Sequence, residues 1–267
     1  MEIVAVANAK GGTGKTSTAV CLAGAWGEAG VRTLLVDLDP QASATDWLGP
    51  VRDDGRPFGA ALIEEAQGGG QEAADLLDLV QETTFPNLER ITAGRWLGTA
   101  ERELRAVAGG EVDVLRRLLA KLPSRWGVLV LDCPPAQQEL VVQALTAATH
   151  IVLPVEAAPL PMRGVLSLME RVGRIQTGPN PDLKVLAIVP CRVTRTVAAR
   201  QVIESLRQRY GDLVTTATIR ENARMREAPS YGQPVTAFDP DGLAAQDVRA
   251  LATELGARLG LAVPTHG

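Results

Sequence analysis

A run of glycines between two lysines offers the clearest chemistry in the chain. Residues 8–18 read Asn-Ala-Lys-Gly-Gly-Thr-Gly-Lys-Thr-Ser-Thr. Gly11, Gly12 and Gly14 let the backbone turn its N–H groups inward without a side-chain clash. An apolar stretch precedes the loop and a helix-period stretch follows it. The helix would aim its N-terminus and dipole at the same point, which suits a phosphate. Lys15 can then reach the β- and γ-phosphates, and the Thr16 hydroxyl can ligate Mg²⁺. Thr13 and Ser17 complete the expected contact set. The run departs from the usual G-x-x-x-x-G-K-[ST] at its first glycine, which is Ala9, and carries an additional lysine, Lys10.

Such a site needs carboxylates at neighbouring strand ends. Asp132 follows the apolar run Val128-Leu-Val-Leu131 and is placed to hold Mg²⁺, usually through water. Asp37 and Asp39 flank Leu38 after the run Thr33–Val36. Alternate side chains of an extended segment share a face, so the two are expected to point the same way. Two carboxylates beside one phosphate repel it and each other unless a metal or lysine compensates. At least one is therefore expected to serve Mg²⁺ or to position an attacking water.

The elements that must position these groups are legible as alternating patterns. Strands are predicted at Ile3–Ala7, Thr33–Asp37, Leu88–Thr92, Val128–Asp132, His150–Val155, Leu183–Val189 and Val214–Thr218. The early and middle runs are almost wholly apolar, as in a parallel sheet covered on both faces. Ala19, Leu22, Ala23 and Trp26 follow one helical stripe, as do Leu115, Leu118, Leu119 and Leu122, and Val248, Leu251, Ala252 and Leu255. This alternation predicts an α/β fold: a doubly wound, mostly parallel sheet with helices on both faces. One domain over residues 1–267 is the simplest organisation, with a mobile surface excursion near 49–72 that is rich in Gly, Asp and Gln.

Composition narrows the function classes. No apolar run approaches a membrane-spanning length, and the start lacks a basic, cleavable leader, so a cytoplasmic protein is expected. The three cysteines, Cys21, Cys133 and Cys191, form no C-x-x-C pair, and the two histidines lie far apart. Neither a zinc site nor a disulfide framework has support. The net charge is −4, yet residues 190–226 hold eight arginines and three acids, a local +5 on a remainder of −9. That segment suits a polyanion surface.

Together the motifs resemble those of the ParA family, the Soj-like chromosome- and plasmid-partition ATPases. The matching segments are Lys10-Gly-Gly-Thr-Gly-Lys-Thr16, Asp37-Leu-Asp-Pro-Gln-Ala-Ser-Ala-Thr45, Leu131-Asp-Cys-Pro-Pro135 and Glu227-Ala-Pro-Ser-Tyr-Gly-Gln-Pro234, followed by Asp239-Pro240. They are similar to the family's deviant Walker A, A′, Walker B and C-terminal signatures and span nearly the whole chain. The resemblance implies ATP and Mg²⁺ as ligands and an ATP-dependent sandwich homodimer. Lys10 would cross to the partner's phosphates, and Asp39 would activate or orient the hydrolytic water. Asp37 and Asp132 would serve Mg²⁺ directly or from behind its ligands. Asn222 matches the position that contacts adenine, although Arg220 replaces a proline common in the family. The resemblance further implies non-specific binding of double-stranded DNA through Arg195 and Arg224, helped by Arg192 and Arg226. It also implies hydrolysis stimulated by a ParB/Spo0J-like protein, and residence on the nucleoid. The additional N-terminal helix-turn-helix domain of larger relatives has no counterpart in the sequence, so operator binding is not expected.

Three other functions compete. A MinD-like membrane-associated ATPase would need a basic amphipathic C-terminal helix, and the charges of that segment alternate in sign instead, so no membrane partner is expected. An iron-protein-like reductase would need a second cysteine to accompany Cys133 at a cluster. A nucleotide clamp without turnover would have little use for Asp39.

Overall fold

The structure, a computed structural model, describes all residues except 9, 51–56, 69–75, 107–111, 136–138, 159–161 and 264–267, and for 95, 162 and 163 the backbone alone. Seven strands form one sheet: β1 (Glu2–Val6), β2 (Thr33–Asp37), β3 (Val80–Glu82), β4 (Leu88–Ile91), β5 (Val128–Asp132), β6 (His150–Glu156) and β7 (Lys184–Cys191). Their order is β3-β4-β2-β5-β1-β6-β7. Among the described residues, only the β3–β4 pair is antiparallel.

Burial explains why β2 and β5 run apolar without alternation: every residue of both is buried. Successive side chains enter opposite cores. Val128 and Val130 join one, and Leu129 and Leu131 the other. The first core is covered by α1 (Lys15–Glu28), α2 (Ser43–Trp47), α10 (Val235–Phe238) and α11 (Leu243–Leu259). The second is covered by α3 (Phe58–Ala66), α4 (Arg95–Ala106), α5 (Val114–Ala120), α6 (Glu139–Ala147) and α7 (Met162–Gln176), with Leu206 of α8 (Val197–Tyr210) at its margin. Trp26 ties α1 to α11. It is fully buried, and its Nε1–H donates to the Ala252 carbonyl at 2.9 Å. A buried indole needs such a partner.

The register aligns the carboxyl ends of the central strands. Val6 and Asp37 both stand opposite Asp132. Connections run in opposite directions on the two sides of β1, which opens a crevice beyond the strand ends.

Two expectations need correction. Residues 214–218 form no strand, only an isolated bridge from Val214 to Ile188. The Thr216 and Ala217 N–H groups instead donate to the Glu254 carboxylate of α11 at 3.1 and 2.8 Å. Within the expected excursion near 49–72, residues 58–66 form α3, whose Phe58, Ala61 and Leu62 are buried. Residues 51–56 and 69–72 lie outside the described set. No helix among the described residues is long and apolar enough to cross a membrane.

Candidate active site

The glycine loop joins β1 to α1, as its spacing predicts. Gly12 and Gly14 adopt φ of 76° and 88°, left-handed values that a side chain would strain. Gly14 is also the N-cap of α1, and its carbonyl accepts the Thr18 N–H at 2.8 Å. No acidic residue occupies the first turn of α1. The helix end is thus left favourable to an anion. At the loop's start, the Lys10 N–H donates to Asn8 Oδ1 at 3.1 Å, and the Asn8 amide donates to the Pro154 carbonyl of β6. The Lys10 carbonyl accepts from Lys15 Nζ at 3.1 Å. The two lysines then part company: Lys15 is 7% exposed, whereas Lys10 is exposed. Burial lowers the Lys15 pKa, and among its neighbours Asp132 most strongly opposes this.

The two carboxylates of the expected pair differ in burial and in bonding. Asp37 is 2% exposed and fully engaged. Its Oδ2 accepts from the Thr45 N–H and the Thr45 hydroxyl, each at 2.8 Å, and its Oδ1 accepts the Asp39 N–H at 3.0 Å. Asp37 therefore anchors the β2–α2 turn. β2 ends at Asp37, and Asp39 lies half-buried just beyond it. Asp39 lines the cavity, with its Oδ1 accepting the Gln41 N–H at 2.9 Å.

Asp132 is wholly buried, and neither of its oxygens has a hydrogen-bond partner among the described residues. Burial, and next the Asp37 carboxylate, raise its pKa well above the usual range. The Thr16 hydroxyl lies near enough to pull the other way without reaching hydrogen-bond geometry. An unsatisfied carboxylate in such a place fits a cation. Among the described residues no group of three His, Cys, Asp or Glu side chains could hold a metal ion. The donor set, one hydroxyl and one carboxylate beside a phosphate cradle, suits Mg²⁺, which takes its remaining ligands from phosphate and water.

The loop opens into a cavity of about 630 Å³. Its walls add Trp47, Ile219, Met225 and Pro229, an apolar slot beside Asn222. Sequence reasoning missed these four, because long-range packing alone brings them to the loop. Asn222 is also the N-cap of α9 (Ala223–Glu227), its Oδ1 accepting the Arg224 N–H at 2.8 Å. Arg220 also lines the cavity and is tied to α11: Asp247 accepts its Nε–H at 2.8 Å and its backbone N–H at 3.0 Å.

The four expected DNA-contacting arginines are not a cluster of free cations. Arg192 pairs with Glu156 at 3.3 Å and Glu221 at 3.6 Å, and Arg226 pairs with the same Glu221 at 3.0 Å. Arg192 and Arg226 both line the cavity. Arg224 pairs with Glu227 at 2.9 Å and with Asp239 at 3.8 Å. Arg195 is exposed before α8 and makes no ion pair among the described residues.

The fold and this loop define a P-loop nucleotide-binding protein of the kind with a second lysine in the loop. A family model described as AAA domain matches residues 1–185. The chain is 34% identical over 257 residues to the sporulation initiation inhibitor protein Soj of Bacillus subtilis (strain 168), covering 96% of this chain and 98% of that one. It is 33% identical over 262 residues to the chromosome partitioning protein ParA of Caulobacter vibrioides, covering 97% and 95%. The chain belongs to the ParA/Soj family of chromosome-partitioning ATPases. Among solved structures, the cobyrinic acid a,c-diamide synthase of Mycobacterium smegmatis with bound ATP analog and magnesium superposes with a TM-score of 0.78 at 29% identity over the whole of both chains.

Proposed function

We propose that this chain is an ATP-dependent DNA-partition ATPase acting as one domain. The observation that carries the proposal is the cavity itself. Lys15, Thr16 and Asp39 line it beside the buried, unpartnered Asp132, and Asn222 lines the same space. The N–H groups of residues 11–14, with Thr13, Lys15, Thr16 and Ser17, hold the phosphates of ATP, and Asn222 contacts the base. Thr16 and Asp132 hold Mg²⁺, with Asp37 fixed behind them. When bound, that ion neutralises phosphate charge. Asp39 orients the water that attacks the γ-phosphorus and accepts its proton as ADP departs.

Lys10 is exposed at the loop's edge and reaches the partner's phosphates in an ATP-bound homodimer. ATP is then a population switch, because it favours the dimer that presents arginines to DNA. Non-specific double-stranded DNA binds at Arg195 and Arg224, with Arg192 and Arg226 recruited from their carboxylates. A ParB/Spo0J-like protein stimulates hydrolysis and releases the dimer from the nucleoid. The MinD-like alternative would need α11 to present a basic amphipathic face. Val248, Leu251, Ala252 and Leu255 are buried, and Arg249 and Arg258 are paired with Glu28 and Glu254.

The test is an electrophoretic shift with non-specific duplex DNA in no nucleotide, ADP and ATP–Mg²⁺. A shift confined to ATP–Mg²⁺ and weakened by salt is expected. A shift in no state would refute the partition role. The double variant Arg195→Glu, Arg224→Glu is expected to keep ATP-driven dimerisation and to lose the shift. Unchanged DNA binding would place the surface elsewhere.

A further inference from the structure

β4 carries a charge in the middle of a core strand. Arg90 stands opposite Leu35 of β2 and is 4% exposed. Burying a guanidinium is costly unless its donors are used. Its two terminal nitrogens converge on backbone carbonyls, Thr45 at 3.1 Å, Gly49 at 3.2 Å and Pro50, while its Nε–H has no partner among the described residues. These are carbonyls of the last turn of α2 and the segment just after it, which need donors and favour a cation.

Thr45 links this strap to the site. Its N–H and hydroxyl both donate to Asp37, and its Oγ1 accepts the Ala93 N–H at 2.8 Å just beyond β4. Asp37 in turn accepts the Asp39 N–H. A continuous chain of bonds therefore runs from Arg90 through Thr45 and Asp37 to the backbone of Asp39. The phosphate loop lies outside this chain of bonds: among the described residues no hydrogen bond joins Gly11, Gly12, Lys15 or Thr16 to it, and only the charge attraction between Lys15 and Asp39 links the two.

We infer that Arg90 is a positioning residue for ATP hydrolysis, clamping α2 to β4 so that the β2–α2 turn holds Asp39 toward the phosphates. The inference rests on the ATPase assignment of the site. It predicts a division between rate and binding. Arg90→Met keeps the length and removes every donor. Single-turnover hydrolysis should fall about 10- to 100-fold, the scale of a small misplacement of a catalytic group. ATP affinity, measured with a fluorescent ATP analogue, should stay within about threefold, because the loop is untouched and Trp47, the α2 residue in the cavity wall, keeps its own anchor on the Gln233 carbonyl. Arg90→Lys, which restores part of the donor set, should recover part of the rate.

Hydrogen exchange gives a readout independent of turnover. The Asp39, Thr45 and Ala93 amides should exchange faster in Arg90→Met, while those of α1 keep their protection. An unchanged hydrolysis rate in a destabilised variant would overturn the inference, as would equal losses of rate and affinity. If Arg90→Met does not fold, Arg90→Lys carries the same comparison. If the unaltered protein binds ATP without turning it over, the ATPase assignment fails. The positioning role in hydrolysis then falls with it, and the amide exchange reports the clamp alone.

Discussion

Lys15→Ala is expected to weaken ATP binding by at least about 100-fold. Lys15 is 7% exposed and is the first residue of α1, and its ammonium shares the Lys10 carbonyl with the Thr13 hydroxyl. Hydrogen bonds to a charged partner contribute about 1.5–3 kcal/mol each. Losing one or two to phosphate oxygens, in a site shielded from water, reaches that hundredfold. Isothermal titration with ATP–Mg²⁺ measures it. Lys10→Ala is the matched control: its side chain is exposed, so the monomer should bind ATP nearly normally while ATP-driven dimerisation is lost. Affinity within a few-fold of normal in Lys15→Ala would remove the loop from phosphate binding.

Asp39→Ala is expected to lower hydrolysis by about 100- to 10,000-fold, the usual range for a general base. ATP affinity should persist, so the ATP-bound dimer accumulates and is seen by size-exclusion chromatography with light scattering. The fold should tolerate the change. Asp39 is partly exposed, its side chain accepts the Gln41 N–H, and its own N–H still donates to Asp37. Normal turnover in this variant would take Asp39 out of the mechanism and leave Asp37 and Asp132 as the remaining acids near the loop.

How much of this was legible in the sequence depends on the range of the forces involved. The bounds of β2 and β5 follow from their residues, because burial on both faces leaves an uninterrupted apolar run ending in aspartate. β3 escaped because three residues at an antiparallel edge carry too little alternation. Residues 214–218 looked like a strand, but Thr215 Oγ1 bonds the Ala217 carbonyl and Glu254 takes the next two N–H groups. A side chain about forty positions away thus satisfied a backbone that local pattern assigned to the sheet. α3 was hidden by its Gly- and Asp-rich surroundings, although Phe58, Ala61, Leu62 and Glu65 already hold helical spacing. The phosphate loop was readable since its chemistry is contiguous. Asp37 and Asp39 were readable as residues, but the Thr45 bonds that occupy Asp37 come from eight positions further on and leave no mark on the strand pattern. Arg90 had no local signal beyond a charge within a core strand, and its acceptors lie 40–45 positions earlier.

The paired state of the arginines has a consequence for how the protein would sense ionic strength. Arg192, Arg224 and Arg226 share Glu156, Glu221, Glu227 and Asp239, so with Arg195 the set is four cations against four anions. Four unencumbered arginines on duplex DNA would displace about four condensed counterions, a log–log slope near −3.6 at roughly −0.9 per phosphate. Here each carboxylate left beside the duplex cancels part of that release. In the ATP-bound state that binds DNA, a slope near about −1 per chain would mean that Arg195 alone engages the duplex. A slope near about −3.6 per chain would mean that all four arginines have left their acids.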